Sequence, residues 1–415
     1  MSSASSRFHS EFLRNFVARG VYYDCTDATA LDGLMQKERV TGYIGFDCTA
    51  PSLHVGHAMQ IMTLRRLQVT DFRCLQSVDL PLDPEFTLIS GANASGKTSL
   101  LEAIYMLGRG RSFRTRRLDH LIRRSAEKFI VFGEVDAGSS RVPLGVEGSR
   151  EGVHARIAGA AAKSLAELAL ALPVQIIDPE VHKLIEDGPF RRRRFLDWGV
   201  FHVEPGFVDS WQRYQQVLKQ RNAALKSRKP RQTAAAWDKE LLRYADALTL
   251  ARQGYVERLM EPAGSLGRSL LGLELGLRYR VGWAKERSLA EALEQSWPLD
   301  LERGATQVGP HRAELTVEVD GLAAKDHISR GQQKLLAAAL LIAQIKLFPT
   351  DAPARPTLLL DDPAAELDQQ HLGSLIAEVS GPANQLIVTT LQAEFTAFGV
   401  PGRRFRIDDG AVHEA

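Results

Sequence analysis

Residues 91–98 read Gly-Ala-Asn-Ala-Ser-Gly-Lys-Thr, a full match to G-x-x-x-x-G-K-[ST]. Gly91 and Gly96 let backbone N–H groups turn inward on phosphate oxygens. Lys97 sets a mobile positive charge against β- and γ-phosphates, and Thr98 offers a hydroxyl to Mg²⁺. Asn93 within the loop and Ser99 just after it complete the candidate nucleotide contacts. The apolar run Phe86-Thr87-Leu88-Ile89 predicts a strand entering the loop, and Thr98–Ile104 predicts a helix leaving it. That helix's N-terminus adds positive potential at the same place. The chemistry indicated is binding of ATP with Mg²⁺.

Two further segments suit the same chemistry. Thr357-Leu358-Leu359-Leu360-Asp361-Asp362 predicts a buried strand ending in two carboxylates. Asp361 is placed to hold Mg²⁺ directly or through water, and Asp362 to orient or deprotonate an attacking water. Upstream, Ile328-Ser329-Arg330-Gly331-Gln332-Gln333-Lys334 opens a helical pattern that runs through Leu335–Ile345. Ser329 is a natural N-cap, Gly331 permits close backbone approach, and a helix start of this kind suits an anion.

The elements that must carry these groups form three stretches. Residues 62 to about 175 read as strands with one strong helix. Residues 205–262 carry Gln, Arg, Lys, Ala and Leu at helical spacing, interrupted by Arg228-Lys229-Pro230-Arg231, and predict two antiparallel helices joined by a basic turn. From 301 onward strands and helices alternate. Before all of these, residues 1–61 predict a helix around Phe12, Phe16 and Leu31 and a strand at Val40–Phe46.

Composition excludes several classes. With 52 Lys plus Arg against 50 Asp plus Glu, the net charge of +2 rules out a histone-like tail protein, though not a local basic surface. The most apolar run, Leu335–Ile345, contains Gln344 and is too short to span a membrane. Met1–Phe16 lacks the apolar core of a secretory signal. Cys25, Cys48 and Cys74 are odd in number and widely spaced, which fits neither a disulfide framework nor a zinc site. A reducing, cytoplasmic compartment is expected, with the thiols structural.

A local basic surface is present. Arg109, Arg111, Arg114, Arg116, Arg117, Arg123 and Arg124 crowd a sixteen-residue stretch whose one acid is Asp119. Arg191–Arg194 form a second run, and Lys226, Arg228, Lys229 and Arg231 mark the helical turn. Such fields suit phosphate backbones, or alternatively serve as solvated faces and internal ion pairs. No base-reading motif accompanies them, so sequence-independent DNA binding is expected, with Arg109, Arg111, Arg114, Arg116 and Arg117 as the first candidates.

The three motifs, in this order, resemble those of ABC-type ATPases. Residues 62–415 resemble the RecF family in particular. Carrying stretches are Leu67–Arg73, Gly110–Thr115, Asp178-Pro179-Glu180, Arg192–Asp197 and Lys219–Asn222. Gly309–Arg312, Ser329–Lys334 and Asp361-Asp362 with Glu366-Leu367-Asp368 complete them. The resemblance implies an α/β fold: an ABC-type P-loop ATPase head with an inserted helical lobe. It divides the chain into a first half of the ATPase lobe at 62–175, a helical lobe at 176–300 and the second half at 301–415. It also implies a head-to-tail homodimer around two ATP molecules, in which Ser329, Gly331 and Gln332 meet the γ-phosphate held by the other subunit. Gln175 then matches the Gln-loop position and Asp368 the D-loop position at the interface. Asp362 stands where most relatives in the wider superfamily carry Glu, and Thr390 where they carry a switch histidine. Both departures imply slow hydrolysis, with ATP acting as a clamp-closing signal. The implied role is recombinational repair, replication restart and the SOS response on gapped, junction or single-stranded DNA, with RecO and RecR as partners.

The first 61 residues differ in kind. Tyr43–His57, with His54-Val55-Gly56-His57, resembles the ATP-binding start of bacterial tyrosyl-tRNA synthetase. The resemblance implies tyrosine or adenylate contacts at Tyr43 and Asp47 and phosphate contacts at Thr49, His54 and His57. Cys48 replaces a common proline. The remainder of that enzyme is absent, so a short, incomplete α/β fragment without aminoacylation activity is expected. A transporter nucleotide-binding subunit fits less well, given the Arg-rich loops and the Ser-Arg-Gly-Gln turn. A chromosome-structuring ATPase would need long heptad segments between the motifs.

Overall fold

A computed structural model describes residues 63–415 apart from 138–139, 228–229, 350–351, 353, 367–368, 380–383, 393–394 and 396, together with 27, 29–30 and 32–33 near the N-terminus. The chain divides into two units, Met1–Met59 and Gln60–Ala415. In the first, the described residues include a turn in which the Ala30 N–H donates to the Asp27 carboxylate at 2.9 Å. The expected helix around Phe12 and strand at Val40–Phe46 lie outside the described residues, as do Cys25 and Cys48.

In the second unit, β1 (Thr63–Phe72) and β2 (Leu75–Pro81) form a hairpin, and β3 (Phe86–Ser90) leads through the glycine loop into α1 (Lys97–Arg109). Strands β4 (Lys128–Ala137), β5 (Ser140–Ser149), β6 (Gly152–Ile157) and β7 (Ala160–Ala161) follow. They extend the hairpin into an antiparallel sheet of order β2-β1-β4-β5-β6-β7. After α2 (Leu165–Ala171) and β8 (Val174–Ile177) come three long helices, α3 (Pro189–Val203), α4 (Phe207–Lys226) and α5 (Asp238–Leu271). Then β9 (Leu275–Arg280), α6 (Leu289–Arg303), β10 (Glu314–Val319) and β11 (Leu322–Ala323) precede α7 (Arg330–Lys346). The chain continues through β12 (Thr357–Asp361), α8 (Gln369–Val379), β13 (Gln385–Thr390), β14 (Arg403–Asp408) and β15 (Ala411–Glu414).

The second six-stranded sheet, of order β15-β14-β3-β13-β12-β8, is parallel except at the β14–β15 edge. It draws strands from both ends of the unit. Being covered on both faces, its strands are continuously apolar rather than alternating. In β12, Leu359 packs toward α1 and the antiparallel sheet, while Leu358 and Leu360 pack toward α7 and the helical region. Helix α1 is thus held between the two sheets, buried from Leu100 through Gly108. Helix α7 is buried from Leu335 through Ile345, which is why its sequence is apolar all round.

The division expected between residues 300 and 301 falls inside α6, and β10 pairs antiparallel with β9. The helical region therefore keeps hold of the chain past that point. The expected helix pair at 205–262 is α4 and α5, with a short helix at Arg231–Ala235 between them.

Candidate nucleotide site

The glycine loop sits at the C-terminal edge of the parallel sheet, where β3, β12 and β13 all end. Its geometry is tight. Gly91 is fixed by its N–H donating to the Thr390 carbonyl at 3.1 Å. A Cβ there would meet the Ile407 carbonyl at 2.5 Å and Ser95 Oγ at 2.7 Å, so no larger residue fits. Gly96 has φ +115°, which a side chain disfavours, and from it α1 begins. Lys97 is buried and its Nζ donates to the Gly91 and Ala92 carbonyls at 2.7 and 2.8 Å. Asn93 is exposed at the loop's tip, and Ser99 is buried one residue into the helix after Thr98. Its Oγ lies 3.6 Å from the Cys74 thiol.

Thr98 Oγ1 donates to Asp361 Oδ2 at 2.8 Å, joining two segments 263 residues apart. The other carboxylate oxygen of Asp361 accepts from Thr389 Oγ1, also at 2.8 Å. Asp362 follows with φ +48°, its N–H held by the Thr389 carbonyl and hydroxyl at 3.2 and 3.1 Å. Thr390, at the switch position, serves the loop through its backbone carbonyl.

A residue that the motifs do not reveal completes this edge. Parallel pairing sets Leu360 beside Ile177, so the next residues of the two strands, Asp361 and Asp178, emerge side by side. Burial first, then the nearby charges of Asp361 and Glu180, push the Asp178 carboxyl up to about 6. Gln175 pairs with Leu358, three residues back inside the sheet. Its Nε2 donates to Gln344 Oε1 at 2.8 Å, and Gln344 in turn donates to the Phe195 carbonyl at 2.9 Å. The strand-edge position beside Asp361 therefore belongs to Asp178, and the amide of Gln175 is committed to α7.

Ser329 caps α7 in a reciprocal box: its Oγ accepts from the Gln332 N–H at 3.3 Å, and Gln332 Oε1 accepts from the Ser329 N–H at 3.0 Å. Ser329, Arg330, Gly331 and Gln332 are all exposed, and none of them hydrogen-bonds to the glycine loop. Asp368 lies outside the described residues.

The arginine stretch is not one solvated face. Arg114 lies 3.6 Å from Glu102, a fully buried carboxylate on α1 that also receives a bidentate pair from Arg73 and a hydrogen bond from Ser112. Arg117 pairs with Asp119 at 2.7 Å. Arg109 is packed against the rings of Tyr105 and Trp198, and Arg116 against Phe190. In the second run, Arg191 pairs with Asp187, Arg192 with Glu314, and Arg193 donates to the Ala313 carbonyl.

The arrangement fits ATP and Mg²⁺. Ser95 Oγ is buried inside the loop without a hydrogen-bond partner, the loop leaves no room for a Cβ at Gly91, and a hydroxyl and carboxylates converge at the strand edge. Among the described residues no group of three or more His, Cys, Asp or Glu could hold a metal alone. That suits Mg²⁺, which takes one or two carboxylates and completes its shell with phosphate oxygens and water.

Comparison with known proteins agrees with this geometry. The profile of the RecF/RecN/SMC N terminal domain matches residues 63–401. A second profile, tRNA synthetases class I (W and Y), matches residues 35–78. Its last residues overlap β1 and β2, which pair with each other, β1 pairing also with β4, in the second unit. The chain is 41% identical over 336 residues to the DNA replication and repair protein RecF of Thioalkalivibrio sulfidiphilus, covering 80% of this chain and 93% of that one. It is 37% identical to the Shewanella pealeana protein of the same name, covering 85% and 99%. Among solved structures, the recombination mediator RecF-ATP of the RecFOR pathway superposes with a TM-score of 0.79 at 28% identity, over 87% of this chain and 100% of that one. An Smc head domain from Pyrococcus furiosus shares the fold alone, with a TM-score of 0.52 at 18% identity over 86% of this chain and 96% of that one. By sequence and by fold, the chain belongs to the RecF family of DNA replication and repair proteins.

Proposed function

We propose that this protein is an ATP-dependent DNA-binding protein of recombinational repair and replication restart, which dimerises on DNA around two ATP molecules and hydrolyses them slowly. The observation that carries the reading is the 2.8 Å hydrogen bond from Thr98 to Asp361. It brings the phosphate loop and the acidic strand end into one site with the polarity that a Mg-nucleotide needs.

In this reading the backbone of Gly91–Gly96, with Asn93, cradles the phosphates. Lys97 exchanges the loop carbonyls for phosphate oxygens, and Thr98 and Ser99 hold the start of α1 against them. Thr98 and Asp361, with Asp178 beside them, hold Mg²⁺, which when bound neutralises charge developing on the phosphates. Asp362 orients or deprotonates the attacking water. As a shorter side chain than Glu, it supports slow turnover. Gln175 acts through Gln344, linking the strand to α7 and thus the nucleotide to the helical lobe. The outward-facing Ser329, Gly331 and Gln332 reach the nucleotide of a second subunit, with Asp368 at the same interface.

An ATPase lobe built from 62–175 and the C-terminal segment, and a helical lobe from 176 that reaches past residue 300 through α6 and β10, belong to the same proposal. So do a cytoplasmic location, RecO and RecR as partners, DNA contacts from the 109–117 stretch, and an N-terminal fragment without aminoacylation activity. The test is sedimentation of the full chain and of a chain starting at Met62, with and without Mg-ATP and duplex DNA. Dimers that need ATP and shift onto DNA support the clamp. Ser329→Arg should keep ATP binding and lose dimerisation, and normal dimers from that variant would sink the sandwich.

A further inference from the structure

Six arginines line a second cleft of about 300 Å³; two of them, Arg114 and Arg191, are already paired with carboxylates, and the other four come from three segments. Arg109 ends α1, Arg111 and Arg116 lie on the loop after it, and Arg194 comes from α3. Tyr105, Phe190 and Trp198 wall the cleft, and the acids lining it are Asp178 and Glu180. Glu180 is already paired with Lys183 at 2.5 Å.

What sets these four apart is the contrast with their neighbours. Arg114, Arg117, Arg191 and Arg192 all have carboxylate partners. Among the described residues, no carboxylate lies within ion-pair distance of Arg109, Arg111, Arg116 or Arg194. Aromatic rings hold three of them instead. Arg116 and Arg194 lie over the same ring, that of Phe190, at 5.2 and 4.6 Å from its centroid. Arg109 lies 5.4 Å from the centroids of both Tyr105 and Trp198, and its buried Nε has no hydrogen-bond partner. A cation–π contact fixes a guanidinium without neutralising it. Burial, then the like charges of Arg111, Arg116 and Arg109, bring Arg194 down to about 10. Phe190 stands 46% exposed at this place. Half-buried positive charge without a counter-ion opposes folding, so these residues are arranged for an anion that arrives from outside.

We propose that this cleft, which meets the nucleotide site at Gln175 and Asp178 but contains no residue of the glycine loop, is a second phosphate-binding site in which Arg111, Arg116 and Arg194 grip phosphate oxygens. Guanidinium forks suit the tetrahedral oxygens of either a nucleic-acid phosphodiester or a free polyphosphate. For a nucleic acid, the proposal deepens the DNA-binding reading: it moves the contact from a surface stripe into a cleft, adds Arg194, removes Arg117, and leaves Arg114 at the wall with its charge held by Glu102.

The experiment compares the full chain with Arg194→Gln, Arg116→Gln and the double variant, and with Arg117→Gln and Arg123→Gln as controls, whose arginines pair with Asp119 and Asp71 outside the cleft. Fluorescence anisotropy follows a labelled oligo-dT and a labelled duplex across a salt series. Calorimetry follows inorganic tripolyphosphate in a Lys97→Ala background, where the glycine loop is disabled. The double variant should weaken oligonucleotide binding at least about tenfold and lower the salt slope by about 1 per arginine, while the controls change it less than about threefold. Loss of tripolyphosphate binding in the double variant, with no change for oligonucleotides, assigns the cleft to free phosphate and also supports the site. Unchanged binding of both ligands overturns it. If the unmodified chain binds no oligonucleotide, the DNA reading fails, and the tripolyphosphate measurement still decides the cleft.

Discussion

The Arg330 guanidinium lies 2.8 Å from Nε2 of His182, a histidine only 2% exposed. A guanidinium can only donate, so Nε2 accepts, and the ring proton sits on Nδ1, 3.3 Å from the Pro179 carbonyl. Glu186 lies 3.6 Å from the same Nε2. One neutral tautomer thus links the turn Ser329–Gln332 to the loop that begins at Asp178. The variable residue of the Ser-x-Gly-Gln turn is folded back into its own subunit, leaving Ser329, Gly331 and Gln332 to face outward.

Cutting this link should separate nucleotide binding from dimerisation. His182→Ala is expected to leave Mg-ATP affinity within about twofold. It should raise the concentration for ATP-dependent dimerisation by about tenfold, from loss of a hydrogen bond to a charged group. Arg330→Ala should match it, and the double variant should be no worse than either. Strictly additive losses, read by sedimentation, would show that the two side chains act separately.

Lys97 and Asp361 should fail differently. Lys97→Ala removes the amine that bridges the Gly91 and Ala92 carbonyls, so ATP should no longer raise the melting temperature. Asp361→Asn keeps a partner for Thr98 but removes a charge, so ATP should still bind while the Mg²⁺ dependence of that binding disappears. Titration of both variants with ATP, with and without Mg²⁺, checks the distinction. An Asp361→Asn variant that keeps its Mg²⁺ dependence would hand the metal site to Asp178.

Glu102 should matter to stability out of proportion to its sequence signal. It is fully buried on α1 and holds Arg73 by two hydrogen bonds of 2.9 and 2.8 Å, with Ser112 and Arg114 on the same carboxylate. Glu102→Gln leaves guanidinium groups without a counter-charge and should cost about 3 kcal/mol in urea unfolding. A loss below about 1 kcal/mol would mean that water reaches Arg73 and replaces the carboxylate.

Much of this site was legible because its determinants are local. Gly91 and Gly96 announce a loop that only glycine can form, Ser329 and Gln332 announce a capped helix, and the apolar run ending at Asp361 announces a strand covered on both faces. The rest depends on pairing that no local pattern encodes. Asp178 reaches Asp361 only through the register of β8 on β12, which also turns Gln175 toward α7. His182 meets Arg330 across 148 residues. Charge runs are ambiguous for the same reason: Arg114 and Arg111 are three residues apart, yet one is held by Glu102 and the other is left with its charge.

The helical lobe should register acid through His311. Its Nε2 lies 2.9 Å from the Thr306 carbonyl, which can only accept, so Nε2 carries the proton and Nδ1 accepts from the Tyr214 hydroxyl at 2.7 Å. Only the Tyr214 bond needs the neutral ring; the Nε2–H bond to Thr306 survives protonation. Burial holds its pKa down at about 4 from an ordinary 6.5; the Thr306 bond opposes this, and the charges of Arg312, Arg193 and Arg221 reinforce it. The folded state therefore binds fewer protons than the unfolded chain between these values. The associated stability is fully present above pH 6.5 and is lost as pH falls toward 4. At pH 5 the loss is about 2 kcal/mol relative to pH 7.5, at about 1.4 kcal/mol per pH unit. His311→Gln keeps a hydrogen-bonding group but cannot titrate, so its urea-unfolding stability should fall by about 2 kcal/mol less over the same interval. Carboxylates and other histidines contribute equally to both chains and cancel in the comparison. Identical pH dependence in the two proteins would mean that His311 titrates in the fold as it does in the unfolded chain, so that burial does not hold the ring neutral.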